Sequence, residues 1–351
     1  MKKNENIIYL VNGNTINKKI IATNVTNEKL TFSYFAESWL RQNKMITLKP
    51  ASYDRLETTY RTHLKSELGD ESIVDITNDM IQSRIISNMF ESGSSYSTIK
   101  KCYDFLNECL DFAKKKRIIL DNPMELVVMP RKDLFNTKEI KILSEEEINS
   151  FKKVCNLKYS NGKPVFRYGY PFLIMLYTGV RVGEMCAIRW SDIDFEKKFF
   201  YVKGNVITVK DRTSNQWKTI VQSSPKTKSG NRVVPLSNYT IRLLKEYKEI
   251  TLTYYNQNPN YIIETKDHHI CPTPNLSKSF GKMLDKAGLS PFGIHSLRHT
   301  YASMLFDKGV DVGVVSKILG HSSVRITYDT YIHILNKQKL EAVDIVADLF
   351  D

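Results

Sequence analysis

Downstream of its first thirty residues, the spacing of apolar residues in this chain changes period twice, and nothing else restricts its fold as much. From Thr31 onward Phe32, Phe35, Ala36, Trp39 and Leu40 recur at i, i+3, i+4, i+7, i+8, the stripe of an amphipathic helix, with Thr31 placed to cap it. Pro50 opens a second helix carrying Tyr53, Leu56, Tyr60 and Leu64, which Gly69 ends. A third helix begins near Thr77 and stops by Gly93. A fourth starts around Ser97, carries Ile99, Cys102, Leu106, Cys109, Leu110 and Ala113, and finishes in Lys114-Lys115-Lys116-Arg117. Asn122-Pro123 closes this all-helical block. Far downstream the pattern turns to strands over Phe199–Lys203, Val206–Lys210, Trp217–Gln222 and Arg232–Leu236, then returns to helix. A helical block followed by a mostly helical α+β domain with a small antiparallel sheet is the fold class this predicts.

Punctuation divides the chain further. Ile7–Val11 and Ile16–Ala22 flank Asn12-Gly13-Asn14 and read as a β-hairpin within residues 1–30. Residues 31–128 form the helical domain. Residues 129–143 lack periodicity and read as a linker. Ser144-x-x-Glu147 is a capping box that opens a second domain, 144–351. Its last helix before the strands is expected to carry Ala187, Ile188, Arg189 and Trp190.

Charge narrows the range of partners. Fifty-one Lys and Arg against thirty-eight Asp and Glu leave +13, an excess suited to a polyanion such as nucleic acid. Between Lys203 and Arg232 stand seven basic residues and one acid, Asp211. A run of one sign favours a polyphosphate surface over an ordinary solvated face. Lys114–Arg117 suit either a helix C-terminus or a phosphate contact. No apolar run approaches the ~18 residues of a membrane span. The five cysteines (102, 109, 155, 186, 271) are scattered, with no CxxC, so a reducing cytoplasm is expected.

The chemistry-bearing residues sit mostly in the last third. Four of the seven histidines fall between 295 and 333. They belong to His295-Ser296-Leu297-Arg298-His299, Leu319-Gly320-His321-Ser322 and Tyr331-Ile332-His333. Upstream stand Thr178-Gly179-Val180-Arg181-Val182-Gly183-Glu184 and Pro225-Lys226-Thr227-Lys228. Two arginines offer planar, permanently charged forks for phosphate oxygens. Histidines can exchange protons at neutral pH. A tyrosine is a nucleophile only with a base or a strongly positive site beside it. There is no Walker A motif and no HExxH, and the Asp267-His268-His269-x-Cys271 cluster lacks a second ligand pair, so no metal or other cofactor is expected.

These boxes, in this order, resemble the tyrosine recombinases, and within them the integrases of phages and conjugative elements. Thr178–Trp190 (TGVRVGEMCAIRW) is similar to the family's first-arginine box, Lys226-Thr227-Lys228 to its lysine hairpin, and His295–His299 (HSLRH) to its HxLRH box. Leu319–Ser322 with Tyr331-x-His333 is similar to the end bearing the second histidine and the nucleophile. The helical block resembles, more loosely, the family's core-binding domain. The resemblance implies that Arg181 and Arg298 hold the scissile phosphate of double-stranded DNA and that Tyr331 attacks it, forming a 3′-phosphotyrosine and freeing a 5′-hydroxyl. Lys226 would protonate the leaving oxygen, His295 would assist proton transfer, and His321 would bond the phosphate. Glu184 and His299 would support them. Lys114, Lys115, Lys116, Arg117, Lys228 and Arg232 are expected on the DNA surface. Lys228 competes with Lys226, and Tyr328 with Tyr331. The covalent ester would conserve bond energy without ATP. A homotetramer on DNA, an excisionase and a host DNA-bending factor are the implied partners. A Xer-type resolvase, a type IB topoisomerase or a DNA-binding protein that never cuts remain the alternatives.

Overall fold

The computed structural model describes residues 7–12, 15–20, 30–136, 140–222, 231–255 and 258–332, with backbone alone at 7–12, 15–20 and 255. The chain divides into two compact units, through Asn136 and from Thr137.

In the first unit β1 (Ile7–Asn12) and β2 (Thr15–Ile20) pair antiparallel from Ile7↔Ile20 to Asn12↔Thr15. The helices come next as α1 (32–47), α2 (50–68), α3 (78–91) and α4 (Tyr96–Lys115). Three of their starts are capped by short polar side chains: Thr31, Thr77 and Ser95 each accept a backbone N–H of the first turn. Each of α1, α2 and α3 contains a wider π turn, at Leu40–Lys44, Tyr60–Leu64 and Gln82–Ser87. The core is aromatic at its centre. Phe105 lies edge-on to Trp39 at 5.3 Å and stacks on Tyr60 at 5.6 Å, an arrangement that adds to the gain from area burial. Gly69 ends α2, but with right-handed backbone (φ −57°). Its use is closeness: a Cβ there would lie 2.5 Å from Ser33 Oγ.

The segment expected to be a linker is partly built into this unit. Met129 and Phe135 pack on its core, and Phe135 sits edge-on to both Phe90 and Tyr96. The basic end of α4 is largely engaged nearby. Lys114 pairs with Asp121 and Glu125, Lys115 with Asp111, and Lys116 lies over the Phe112 ring, while Arg117 adopts left-handed backbone.

The second unit opens with α5 (Glu145–Cys155), whose capping box of Ser144 and Glu147 forms as expected. Helix α6 (Gly169–Leu176) is buried along its whole length and is apolar all round, so other elements surround it. Phe172, Phe151 and Phe292 gather around Phe280 of α9 (Thr273–Ala287). Helix α7 (Val182–Ala187) is shorter than the sequence suggests. Ile188 is already extended, because Ile188 O accepts from Ile262 N–H and Trp190 N–H donates to Asn260 O. Tertiary pairing there overrides helical periodicity.

The strands form two sheets where one was expected. β3 (Ile193–Asp194), β4 (Phe199–Val202) and β7 (Arg232–Pro235) make a three-stranded antiparallel sheet with β4 central. β5 (Asn205–Lys210) and β6 (Trp217–Gln222) pair only with each other. Then come α8 (Asn238–Tyr255), α9, α10 (His295–Asp307), α11 (Val312–Leu319) and a helical segment α12 (324–332). No described helix is long and apolar enough to cross a membrane.

Candidate active site

The site is assembled from the N-terminus of α7, the start of β7, one face of α10 and the turn between α11 and α12. Arg181 precedes the first residue of α7, and Glu184 sits at that helix's third position. Glu184 accepts the Arg181 backbone N–H at 2.8 Å and its Nη1 at 2.9 Å. The same carboxylate receives both Nη atoms of Arg232 from β7, at 3.0 and 2.9 Å. The side chains of Glu184 and Arg232 are each 7% exposed. Burial alone would raise the Glu184 carboxyl, but the hydrogen bonds and charge of Arg232, with the charge of Arg181, outweigh it and hold it at about 2. Arg232 also donates from Nε to Ile318 O at 2.8 Å, tying β7 to the end of α11.

Arg298 on α10 is 2% exposed. Its Nη1 donates to Gly179 O at 2.8 Å and its Nη2 to Leu319 O at 2.7 Å. Burial first, then the like charge of Arg181, pulls the guanidinium down to about 9, so it stays protonated at neutral pH. Gly320 caps α11 in left-handed backbone (φ +68°), a conformation that favours glycine. It delivers His321, whose Nδ1 lies 2.6 Å from the Thr327 hydroxyl. Burial and the charges of Arg298, Arg181 and Arg232 push the His321 ring down to about 3, so it is neutral.

His295 begins α10 and reaches solvent. Its ring meets His299 edge-on at 4.8 Å between centroids. Partial burial, then His299, Arg298 and Arg181, lowers it to about 4. His299 is half-buried, and its Nδ1 is 2.8 Å from the hydroxyl of Tyr331 on α12. Tyr331 is 1% exposed and packs with Ala302, Phe306, Val315 and Leu319. Burial pushes its phenol up to about 12, against the pull of Arg298.

The structure therefore gathers Arg181, Glu184, Arg298, His295, His299, His321 and Tyr331. It also recruits Arg232, which was expected on the DNA surface. The structure corrects that assignment: the guanidinium is buried and committed to Glu184 and Ile318. Strand alternation could not reveal this, because a basic residue at a strand start reads as exposed. Thr327 carries no signal in the sequence, since only the turn geometry brings it to His321. Tyr328 is half-buried on α12. Lys226, Lys228 and His333 lie outside the described residues, and Lys114–Arg117 belong to the other unit. Asp267–Cys271 forms a turn beside the Glu264↔Ile270 bridge, with Cys271 buried. Among the described residues no three His, Cys, Asp or Glu are grouped to hold a metal ion.

Two buried or half-buried arginines, neutral histidines and a tyrosine drawn from separate elements define a catalytic-type centre for phosphodiester chemistry. Comparison with known proteins agrees. The phage integrase family matches residues 141–338, and the phage integrase N-terminal SAM-like domain matches 31–89. A "Tyrosine recombinase XerC-like" protein of Caldanaerobacter subterraneus subsp. tengcongensis is 32% identical over 342 residues, covering 93% of this chain and 85% of that protein. The ICEBs1 integrase of Bacillus subtilis is 26% identical over 316 residues, covering 87% and 79%. In fold, the chain is similar to the Tn1549 transposon integrase in complex with transposon right end DNA (TM-score 0.69, 19% identity, 86% of this chain and 94% of that one). It is also similar to a lambda integrase tetramer bound to a Holliday junction (TM-score 0.61, 17% identity, 84% and 78%). The chain belongs to the phage integrase family: it is a tyrosine recombinase, an enzyme that breaks and rejoins DNA strands.

Proposed function

We propose that this recombinase integrates and excises a mobile genetic element. Arg181 and Arg298 grip the scissile phosphate and stabilise its transition state. Tyr331 attacks and becomes the 3′-phosphotyrosine, Lys226 protonates the departing 5′-oxygen, His295 assists proton transfer and His321 bonds the phosphate. Glu184 and His299 act behind them. Lys228 and the basic end of α4 contact the duplex. Four copies assemble on paired sites in the cytoplasm, aided by an excisionase and a host DNA-bending factor. The observation that carries this reading is the convergence of Arg181, Arg298 and His321 on one centre, with Tyr331 held beside it by His299. The relatedness to the ICEBs1 integrase supports the mobile-element role. The XerC-like relative favours a second reading, resolution of replicon multimers.

Denaturing capture of protein–DNA adducts from cells, wild type beside Tyr331→Phe, tests this. An adduct present in wild type and absent in the variant is expected, with attached DNA mapping to element ends. Attached DNA at a single replicon site would favour resolution. Scattered attachment would point to a topoisomerase, and an adduct that persists in the variant would remove Tyr331 from its role.

A further inference from the structure

We propose that His299 is the base that takes the phenolic proton of Tyr331 as that oxygen attacks phosphorus. This rests on the reading of Tyr331 as the nucleophile. The Nδ1 of His299 stands 2.8 Å from the phenolic oxygen, within reach for direct proton transfer. Burial, then Arg298, disfavours a charged His299, and burial keeps the phenol protonated. In the Nε2-protonated tautomer of the neutral ring, the one this step requires, the phenol O–H donates to Nδ1. His295 meets the ring of His299 edge-on from the solvent side. It is therefore His299 that holds the tyrosine.

The need for a base is large. With the phenol at about 12, only about one molecule in 10⁵ is ionised at pH 7. In the step proposed, the phenol O–H bond breaks and its proton passes to Nδ1, leaving an imidazolium. The phenolic oxygen bonds to phosphorus, the P–O5′ bond breaks, and the 5′-oxygen takes a proton from Lys226. Rejoining runs in reverse: the imidazolium returns its proton to the departing phenolate.

The test is single-turnover cleavage by the full chain of a nicked duplex carrying the site recovered from adduct capture. His299→Gln keeps a hydrogen-bond acceptor near the hydroxyl but cannot accept the proton. It should bind the duplex normally and cleave on the order of 10²-fold or more slowly. Replacing Tyr331 in that variant by a ring-fluorinated tyrosine, whose phenol is more acidic, should restore about tenfold or more. Wild-type speed in His299→Gln, or slow cleavage that fluorination does not rescue, would overturn the proposal. So would faster cleavage, which would make His299 a restraint. If His299→Gln does not fold, fluorinated Tyr331 beside intact His299 still decides. Unchanged or slower cleavage at neutral pH supports the proposal, and acceleration of about tenfold or more, as prior ionisation demands, refutes it. Loss of the adduct in Tyr331→Phe together with a normal rate in His299→Gln would leave the nucleophile standing and remove only this inference.

Discussion

Replacing Glu184 by glutamine changes one oxygen to an amide nitrogen, and the donors around it set the cost. The carboxylate accepts four hydrogen bonds, two from Arg181 and two from Arg232, on two oxygens. In Glu184→Gln the Nε2 group must face two donors, and the buried Arg232 loses its counter-charge. Breaking a buried ion pair from one side costs about 3–5 kcal/mol. A second route gives a similar figure. A carboxyl held at about 2 instead of 4.5 contributes about 3 kcal/mol at neutral pH. In a unit of this size, about 3 kcal/mol lowers the melting temperature by about 6–12 °C. The sign with pH is fixed. A carboxyl depressed in the folded state gives its full contribution above its ordinary value of 4.5 and loses it as pH falls toward about 2. Calorimetry of the full chain, tracking the transition of the unit from Thr137, should show a wide gap between wild type and variant at neutral pH. The gap should narrow between about pH 5 and 3. Melting within about 2 °C of wild type at pH 7, or a gap that does not change with pH, would refute the reasoning.

Two further outcomes can be stated. Gly320→Ala places a Cβ in left-handed backbone and 2.8 Å from Cδ and Nη1 of Arg232. Because Arg232 is pinned by three hydrogen bonds, the strain should cost about 1–3 kcal/mol and slow cleavage; a wild-type melting curve would show that Arg232 gives way freely. His295 and His321, held at about 4 and 3, should show no ring titration by NMR near their ordinary value of 6.5 in the DNA-free protein. Protonation then favours the unfolded chain, so stability should fall as pH drops below about 6.5; a midpoint at 6.5 for either ring would contradict the assignment.

Much of this architecture is legible in the residues because local signals and tertiary demands coincide. Thr31 and Thr77 cap helices where their spacing places them, and the strand runs near 199, 206, 217 and 232 pair as antiparallel β. Legibility fails where distant contacts decide. The π turns in α1–α3 leave no mark in a 3.6-residue period. Helix α7 stops at Ala187 because residues 260–262 compete for its backbone. The split into two sheets depends on which strand captures β4, and β7 wins it from β5. In the site, the order of the boxes brings Arg181, His295, Arg298, His321 and Tyr331 forward together. The partnership of His299 with Tyr331 spans 32 residues and exists only once α12 folds against α10. Arg232 misleads for the opposite reason: its charge is visible in the sequence, and its burial is not.

Arg298 spends its two Nη groups on the carbonyls of Gly179 and Leu319, chain segments 119 and 21 residues away. The side chain proposed to meet the substrate is thus also a rivet through three segments of backbone. Drift at this position is opposed twice over. A descendant that had lost its DNA target would still lose two backbone tethers if this arginine changed, so the residue joins the loop before α7 to the end of α11 whether or not DNA is bound.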